Sequence, residues 1–397
     1  MVVGCGGGSS GSSGSSSPSG KILPFTAVQA MKAGTTFYII LDRPSGKVKW
    51  PVTLSGTSDD ASARQILFTI ANQPVGSGDS GSLIIDRDGN SVGAFDVGTT
   101  STLFTATAIE DEQAILLSGP VAKKPATTSG VPTDGLRRTI RGVSPYLWGI
   151  ISKDSRSPLS KLFTLDTTSP KKAAVGKAPL PAGSMYSSTI FMVSSYGDAV
   201  SAYTYGSVTT PYLGKLICYG HSLNWEGGSQ DIPCYFGTVT NFVVDPIYGG
   251  EKVGNPDMSR SAGTLVDDRR FGVVVDPTVT ATPIPITGTV TVNTNQAVTF
   301  HGFVAQDPLM ETTLALTNIT QGTSNIVDAN EVGGSATGSA TINFADGTSQ
   351  TVDLTDSGSS TLIADLYDNI GQYLYDQSTF APLLLSSITF SFVITTT

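Results

Sequence analysis

The apolar residues of this chain come in short runs, each cut off by a cluster of glycine, serine or aspartate. Thr36-Phe37-Tyr38-Ile39-Ile40-Leu41, Val48–Leu54 and Gln65–Ile70 are runs of this kind, with the length and β-branched or aromatic content of strands. Leu83–Ile85 and Ser91–Val97 flank Asp86-Arg87-Asp88-Gly89-Asn90 and read as a hairpin. Leu103–Ile109 is one more strand before the acidic Glu110-Asp111-Glu112. This punctuation leaves little room for long helices and predicts a mostly β protein. The first unit is a small barrel of six or seven strands within residues 21–116.

At 397 residues the chain can hold two or three domains with cores of their own. Residues 1–20 begin Met1-Val2-Val3-Gly4-Cys5 and continue as a Ser/Gly stretch, which composition places outside the folded part. Residues 117–179 are rich in proline and in Lys/Arg and read as a connector, with a helix expected around Pro158–Phe163. A second β unit is predicted over 180–280, with strands at Ser188–Ser194, Ala199–Tyr205, Gly214–Gly220, Gly237–Val244 and Gly263–Val275. Residues 281–397 read as α+β. There Asp307-Pro308 opens a helix through about Thr317, and Ala345-Asp346-Gly347 turns a hairpin. Leu362, Leu366, Ile370 and Leu374 recur at helical spacing, and Ile388–Ile394 closes as a strand.

All 23 Lys and Arg lie before residue 271, and the acidic remainder has none. That distribution argues against a nucleic-acid partner. No apolar run reaches the length of a membrane-spanning helix. No cofactor motif and no full set of metal ligands is present.

The chemistry concentrates in Gly76-Ser77-Gly78-Asp79-Ser80-Gly81-Ser82, directly before the apolar Leu83-Ile84-Ile85. A serine between glycines at the mouth of a strand can be presented as a nucleophile, with backbone amides brought close to a substrate carbonyl. On this reading Ser80 is the nucleophile, and the Gly78 and Ser80 amides form the oxyanion hole. The plainer reading is one more Ser/Gly turn between strands. A serine needs a base, and the chain has two histidines. His221 follows the strand Leu216-Ile217-Cys218-Tyr219-Gly220, which breaks at its glycine and sets an imidazole at a strand end. His301 lies inside an alternating run, Val298–Val304, and reads as an ordinary strand residue. For a third member, Asp268 stands at the start of a strand in the same unit as His221. Asp267 beside it faces the other way, Asp231 lies in the histidine loop, and a plain Ser/His dyad is a further alternative. Cys218 and Cys234 bracket that loop and, in an exported protein, would form a disulfide steadying it. A Cys/His metal site falls short of four ligands.

Gly-Asp-Ser-Gly is also the string that carries the nucleophile in chymotrypsin-like peptidases. The chain as a whole resembles the stage IV sporulation protein B type serine peptidases, in an envelope form whose serine segment precedes its histidine segment. The resemblance rests on Gly78–Ser82 with the strand behind it, on Leu180-Pro181-Ala182-Gly183-Ser184 leading to Tyr219-Gly220-His221, and on Asp231-Ile232-Pro233, Gly263-Thr264 and Asp268-Arg269. It thins over residues 117–178. The family's Met-Ser-Gly-Ser-Pro is Asp79-Ser80-Gly81-Ser82-Leu83 here, and its Gly-His-Pro or Gly-His-Gly is Gly220-His221-Ser222. Both departures keep the reacting side chains. The resemblance implies two chymotrypsin-like β-barrel units in permuted order, followed by the C-terminal α+β domain. It also implies a serine endopeptidase acting on proteins or peptides through Ser80 and His221. Val2-Val3-Gly4-Cys5 resembles a bacterial lipobox, although no basic or apolar leader precedes it. Cys5 is then a lipidation candidate, the Ser/Gly stretch a tether, and the location the cell envelope. An added linker or a cytosolic tail is the alternative. A non-catalytic envelope binding protein that keeps the fold is the alternative function.

Overall fold

A computed structural model describes residues 20–60, 63–71, 75–98, 102–119, 138–167, 185–223, 230–245, 249–307, 310–380 and 385–397. The lipobox-like start with Cys5, and most of the expected tether, therefore lie outside the described residues.

The first unit follows from alternation. In β1 (Thr36–Arg43) the side chains of Phe37, Ile39 and Leu41 point inward and are fully buried. With β2 (Gly46–Asp60), β3 (Ala63–Thr69), β5 (Leu83–Ile85), β6 (Ser91–Gly98) and β7 (Leu103–Ala108), β1 closes a barrel in the order β1-β2-β3-β7-β6-β5. The two-residue β4 (Gly76–Ser77) stands off this barrel. Phe37, Phe68, Phe104 and Phe95 form a chain of ring contacts inside, with centroids 5.2–5.5 Å apart. Short α1 (Phe25–Gln29) adds Phe25 and Val28 to the same core. Ile109 ends no strand. It opens α2 (Ile109–Leu117), with Glu110, Asp111 and Glu112 in the first turn, where the helix dipole favours acids.

The expected connector is partly built into the fold. After β8 (Arg138–Arg141) come α3 (Pro145–Ile151), α4 (Leu159–Leu162) and β9 (Phe163–Asp166). Ser144 caps α3 by accepting from the Leu147 amide at 3.2 Å, and Pro145 sits at its first position. The helix expected at Pro158–Phe163 is the single turn α4.

The second unit comprises β10 (Thr189–Gly197), β11 (Ser201–Tyr212), β12 (Lys215–Cys218), β13 (Ile232–Asp245), β14 (Gly249–Arg269) and β15 (Gly272–Asp276). These pair in the order β10-β13-β14-β15-β12-β11, and β10 pairs with β11 to complete a ring. The run read as one strand, Gly263–Val275, folds back on itself as the β14/β15 hairpin. Numbered within each ring, both units have the strand order first, second, third, sixth, fifth, fourth. The two halves of the fold thus repeat one topology, with the Ser80 turn and the His221 turn both in the connection from third to fourth strand.

The C-terminal residues are α+β as expected. Strands β16 (Ile284–Val292), β17 (Val298–Val304), β18 (Gly334–Phe344), β19 (Ser349–Ser359) and β20 (Leu385–Thr396) order as β19-β18-β20-β16-β17. The hairpin turn at Ala345-Asp346-Gly347 lies between β18 and β19. Helices α5 (Glu311–Val327) and α6 (Leu362–Phe380) pack on this sheet through Leu314, Ile319, Leu366, Ile370 and Leu374. α5 runs past Thr317, and its N-cap residue is Met310, not Asp307; Pro308 lies outside the described residues. The same core takes in Ile140, Leu147, Ile151 and Leu159 from the connector. β17 continues the sheet onto β10 of the second ring. No helix among the described residues is long and apolar enough to cross a membrane.

The expected disulfide is not formed. Cys218 on β12 and Cys234 on β13 are free thiols, both fully buried. Either way round the ring, two strands separate β12 from β13, so the cysteines line opposite walls and serve as core residues beside Ile190, Met192 and Val273. Sixteen positions of sequence separation describe a long loop, but ring topology sends its ends apart. Burial pushes both thiols up, which keeps them protonated and unreactive. Cys218 and Cys234 should alkylate only after unfolding, and reductant should leave the thermal midpoint where it was. A midpoint that falls on reduction would point to a bridge after all.

Candidate functional site

The Ser80 turn is held by both rings. Gly76 and Ser77 form a parallel pairing with Gly250 and Glu251 of β14. A side chain at Gly76 would have its Cβ 1.8 Å from the Gly250 carbonyl oxygen, so this approach requires glycine. The Ser80 carbonyl accepts from the Ser207 amide of β11 at 2.7 Å, and the Gly81 amide donates to the Phe95 carbonyl at 2.7 Å. Ser82 Oγ lies 3.3 Å from Ser207 Oγ.

Between Gly78 and Ser80 sits Asp79, with no exposed surface. Arg43, at the end of β1, grips it with two parallel bonds of 2.7 and 2.8 Å. Lys252 of β14, also without exposed surface, brings its Nζ to 3.6 Å from the same carboxylate. The Gly76 amide donates to it at 3.1 Å. The Arg43 guanidinium stacks on Phe242, 4.1 Å from the ring centroid.

The histidine turn arrives from the other side. Its path depends on left-handed backbone at Tyr219 and Gly220, with φ of 76° and 68°. That conformation is costly for a bulky residue such as Tyr219, and strain of this kind clusters at functional sites. Tyr219 is nevertheless held tightly, because its amide donates to the Ser207 carbonyl at 3.1 Å. Ser207 therefore bonds Ser80 with one backbone group and Tyr219 with the other. The Gly220 carbonyl accepts from Thr107 Oγ1 of β7 at 3.1 Å.

His221 is half-buried, and its Nδ1 lies 2.8 Å from the Ser222 carbonyl oxygen. A carbonyl only accepts, so Nδ1 carries a hydrogen, and in the neutral ring Nε2 is the nitrogen with the lone pair. Ser80 is 9% exposed, and its Oγ donates to the Asp96 carbonyl at 3.4 Å. No hydrogen bond joins Ser80 and His221 among the described residues. What the fold brings together is the two turns, since the residue after Ser80 abuts the backbone two residues before His221. The Ser80 amide donates to no described group.

Asp268 is fully buried, and its Oδ1 accepts from the Leu223 amide at 2.7 Å. It grips the backbone just past His221, and the ring nitrogen bonds the Ser222 carbonyl. Of the other carboxylates weighed, Asp267 pairs with Arg269 at 3.2 Å, and Asp231 accepts from the Thr282 amide and hydroxyl. His301 is an exposed residue of β17, 3.7 Å from Asp198, in keeping with an ordinary strand position.

Sequence reasoning passed over Arg43, Lys252, Ser207 and Glu112. The visible signals were slight: a charged pair ending the apolar β1, and a lone lysine in a β-rich run. Glu112 is fully buried on α2, with Oε1 3.5 Å from Thr209 of β11 and no partner for Oε2. Burial, reinforced by the charges of Asp96 and Asp111, pushes its carboxyl well above the ordinary range. No group of metal-ligating residues occurs among the described residues. No family model matches the chain, and no curated protein matches it.

Two consequences are measurable. A Cβ on Gly81 would lie 2.3 Å from the Ser207 carbonyl oxygen and 2.5 Å from the Tyr219 amide, at φ of +86°. Gly81→Ala should therefore cost about 2–4 kcal/mol in a denaturant melt, and a neutral result would mean that the two turns do not touch. Glu112 binds its proton more tightly folded than unfolded, so its contribution is fully present below the unfolded value of 4.5 and is lost as pH rises towards the raised one. Glu112→Gln should gain stability over wild type by about 1.4 kcal/mol per pH unit across that window. A difference independent of pH would show that Glu112 titrates normally.

Proposed function

We propose that this chain is a serine endopeptidase in which Ser80 is the nucleophile and His221 the general base. The observation that carries the reading is the meeting of the two turns. Two rings of identical strand order, each offering the connection from its third to its fourth strand, place the Ser80 turn against the backbone leading to His221. This arrangement supports a chymotrypsin-like fold in permuted order, serine unit first.

The chemistry follows from the protons. Nδ1 of His221 is committed to the Ser222 carbonyl, so Nε2 is free to accept from Ser80 Oγ as it attacks a peptide carbonyl. The developing oxyanion accepts from the Ser80 and Gly78 amides. The imidazolium then protonates the leaving amine, and water releases the acyl group by the same path in reverse. In the resting molecule Ser80 Oγ points to the Asp96 carbonyl at a weak 3.4 Å, so it turns towards the base when substrate binds. Asp268 acts on the loop through the Leu223 amide, as a positioning residue. Placement in the cell envelope rests on Val2-Val3-Gly4-Cys5 alone, because the free cysteines give no argument for export.

A non-catalytic binding protein on the same fold is the second reading. It is favoured by the near-complete burial of Ser80 and by the Asp96 contact. A fluorophosphonate probe separates the two. It should label the wild-type protein at Ser80, fail on Ser80→Ala, and label His221→Ala more slowly by a factor on the order of 1,000 or more. Equal labelling of wild type and Ser80→Ala would favour the binding protein.

A further inference from the structure

The nucleophile turn is fastened by charge as well as by backbone, and the charge comes from both rings. Asp79 lies between the two residues whose amides would face an oxyanion. Arg43 reaches it from β1 of the first ring, and Lys252 from β14 of the second. Lys252 spends its remaining reach on Ser207 Oγ at 3.1 Å, and Ser207 in turn meets Ser82 Oγ and the Ser80 carbonyl. The lysine backbone is held as well, because its carbonyl accepts from the Tyr205 hydroxyl. A fully buried ammonium is expensive to maintain; Arg43 already pairs Asp79 bidentately, and the Asp42 carboxylate of β1 adds to the field that holds the lysine charge.

We propose that Lys252 is a positioning residue for the Ser80 turn, setting the geometry of the Gly78-to-Ser82 backbone from the opposite ring. The turn then takes its working shape only when the two rings are docked, since half of its ties come from β11 and β14. This inference deepens the peptidase reading, and its structural part can be tested apart from that reading.

The test compares full-length wild type, Lys252→Met and Ser207→Ala. Methionine keeps the aliphatic stem and leaves the Arg43–Asp79 pair intact, so the rings stay folded. Ser207→Ala removes the bridging hydroxyl without altering charge. Hydrogen exchange, followed on peptides covering residues 76–82, should be faster by tenfold or more in Lys252→Met, on the order of the loss of one such tie. Protection of β1, β3 and β12 should be unchanged, and Ser207→Ala should fall between the two. Fluorophosphonate labelling of Ser80 should slow on the order of 100-fold in Lys252→Met, and peptide turnover should fall in kcat with KM nearly unchanged.

Unchanged exchange of the turn in Lys252→Met would overturn the proposal. So would faster exchange confined to β14 itself. If wild-type Ser80 does not react with the probe, the peptidase reading falls, and the exchange comparison still decides whether Lys252 positions the turn. Should Lys252→Met fail to fold, Ser207→Ala decides: wild-type exchange at residues 76–82 would sink the proposal, and accelerated exchange there would uphold it.

Discussion

A carboxylate with no exposed surface must be matched where it lies, and Asp79 is matched from two directions at once. The desolvation of three charges is offset by a bidentate Arg43 pair, a nearby Lys252 ammonium and a backbone amide. Removing Asp79 would cost more than the cluster contributes as a whole, because both cations would be left without the carboxylate they share. The two rings are therefore not free to dock in alternative ways. Their seam is further fixed by hydrogen bonds. Asp42 accepts from the amide and hydroxyl of Thr189, the Leu83 amide donates to Ser187 Oγ, and Thr107 donates to the Gly220 carbonyl.

Ser207 has a special place in this seam. Its amide, carbonyl and hydroxyl each meet a different part of the candidate site: the Ser80 carbonyl, the Tyr219 amide, and the Lys252–Ser82 pair. One residue of β11 thus sets the distance between the serine turn and the histidine turn. Small size is what allows this, since Gly206 next to it already packs against the Tyr219 ring and the Ser80 carbonyl.

Much of this was legible in the sequence. Short β-rich runs between Gly/Ser/Asp clusters locate most strands, and the spacing of Leu362, Leu366, Ile370 and Leu374 locates α6. Other elements were hidden for physical reasons. Ile109 continues the apolar alternation of β7, so the switch to α2 depends on the acids that follow and on burial of Glu112 between the rings. In the connector the sequence marks a helix but not β8 and β9, because these are four residues each and their stability comes from pairing with β11 and from the C-terminal core. The cysteine pair misled because sequence spacing carries no information about which wall of a ring a strand occupies. Ser80 and His221 were visible as motifs. Arg43 and Lys252 were not, because their partner is some distance away along the chain and only the docked rings bring them together.

β10 belongs to two structures. Its first residues complete the second ring through β11 and β13, and Ser195–Gly197 pair with β17 of the C-terminal sheet. Deeper in, Ser195 Oγ donates to the Phe303 carbonyl and accepts from the buried Asn318 of α5. A strand shared in this way cannot come loose in one structure and stay native in the other. In thermodynamic terms the histidine ring and the C-terminal sheet form one cooperative unit, and the boundary near residue 281 that composition draws is a change of architecture without a corresponding break in cooperativity.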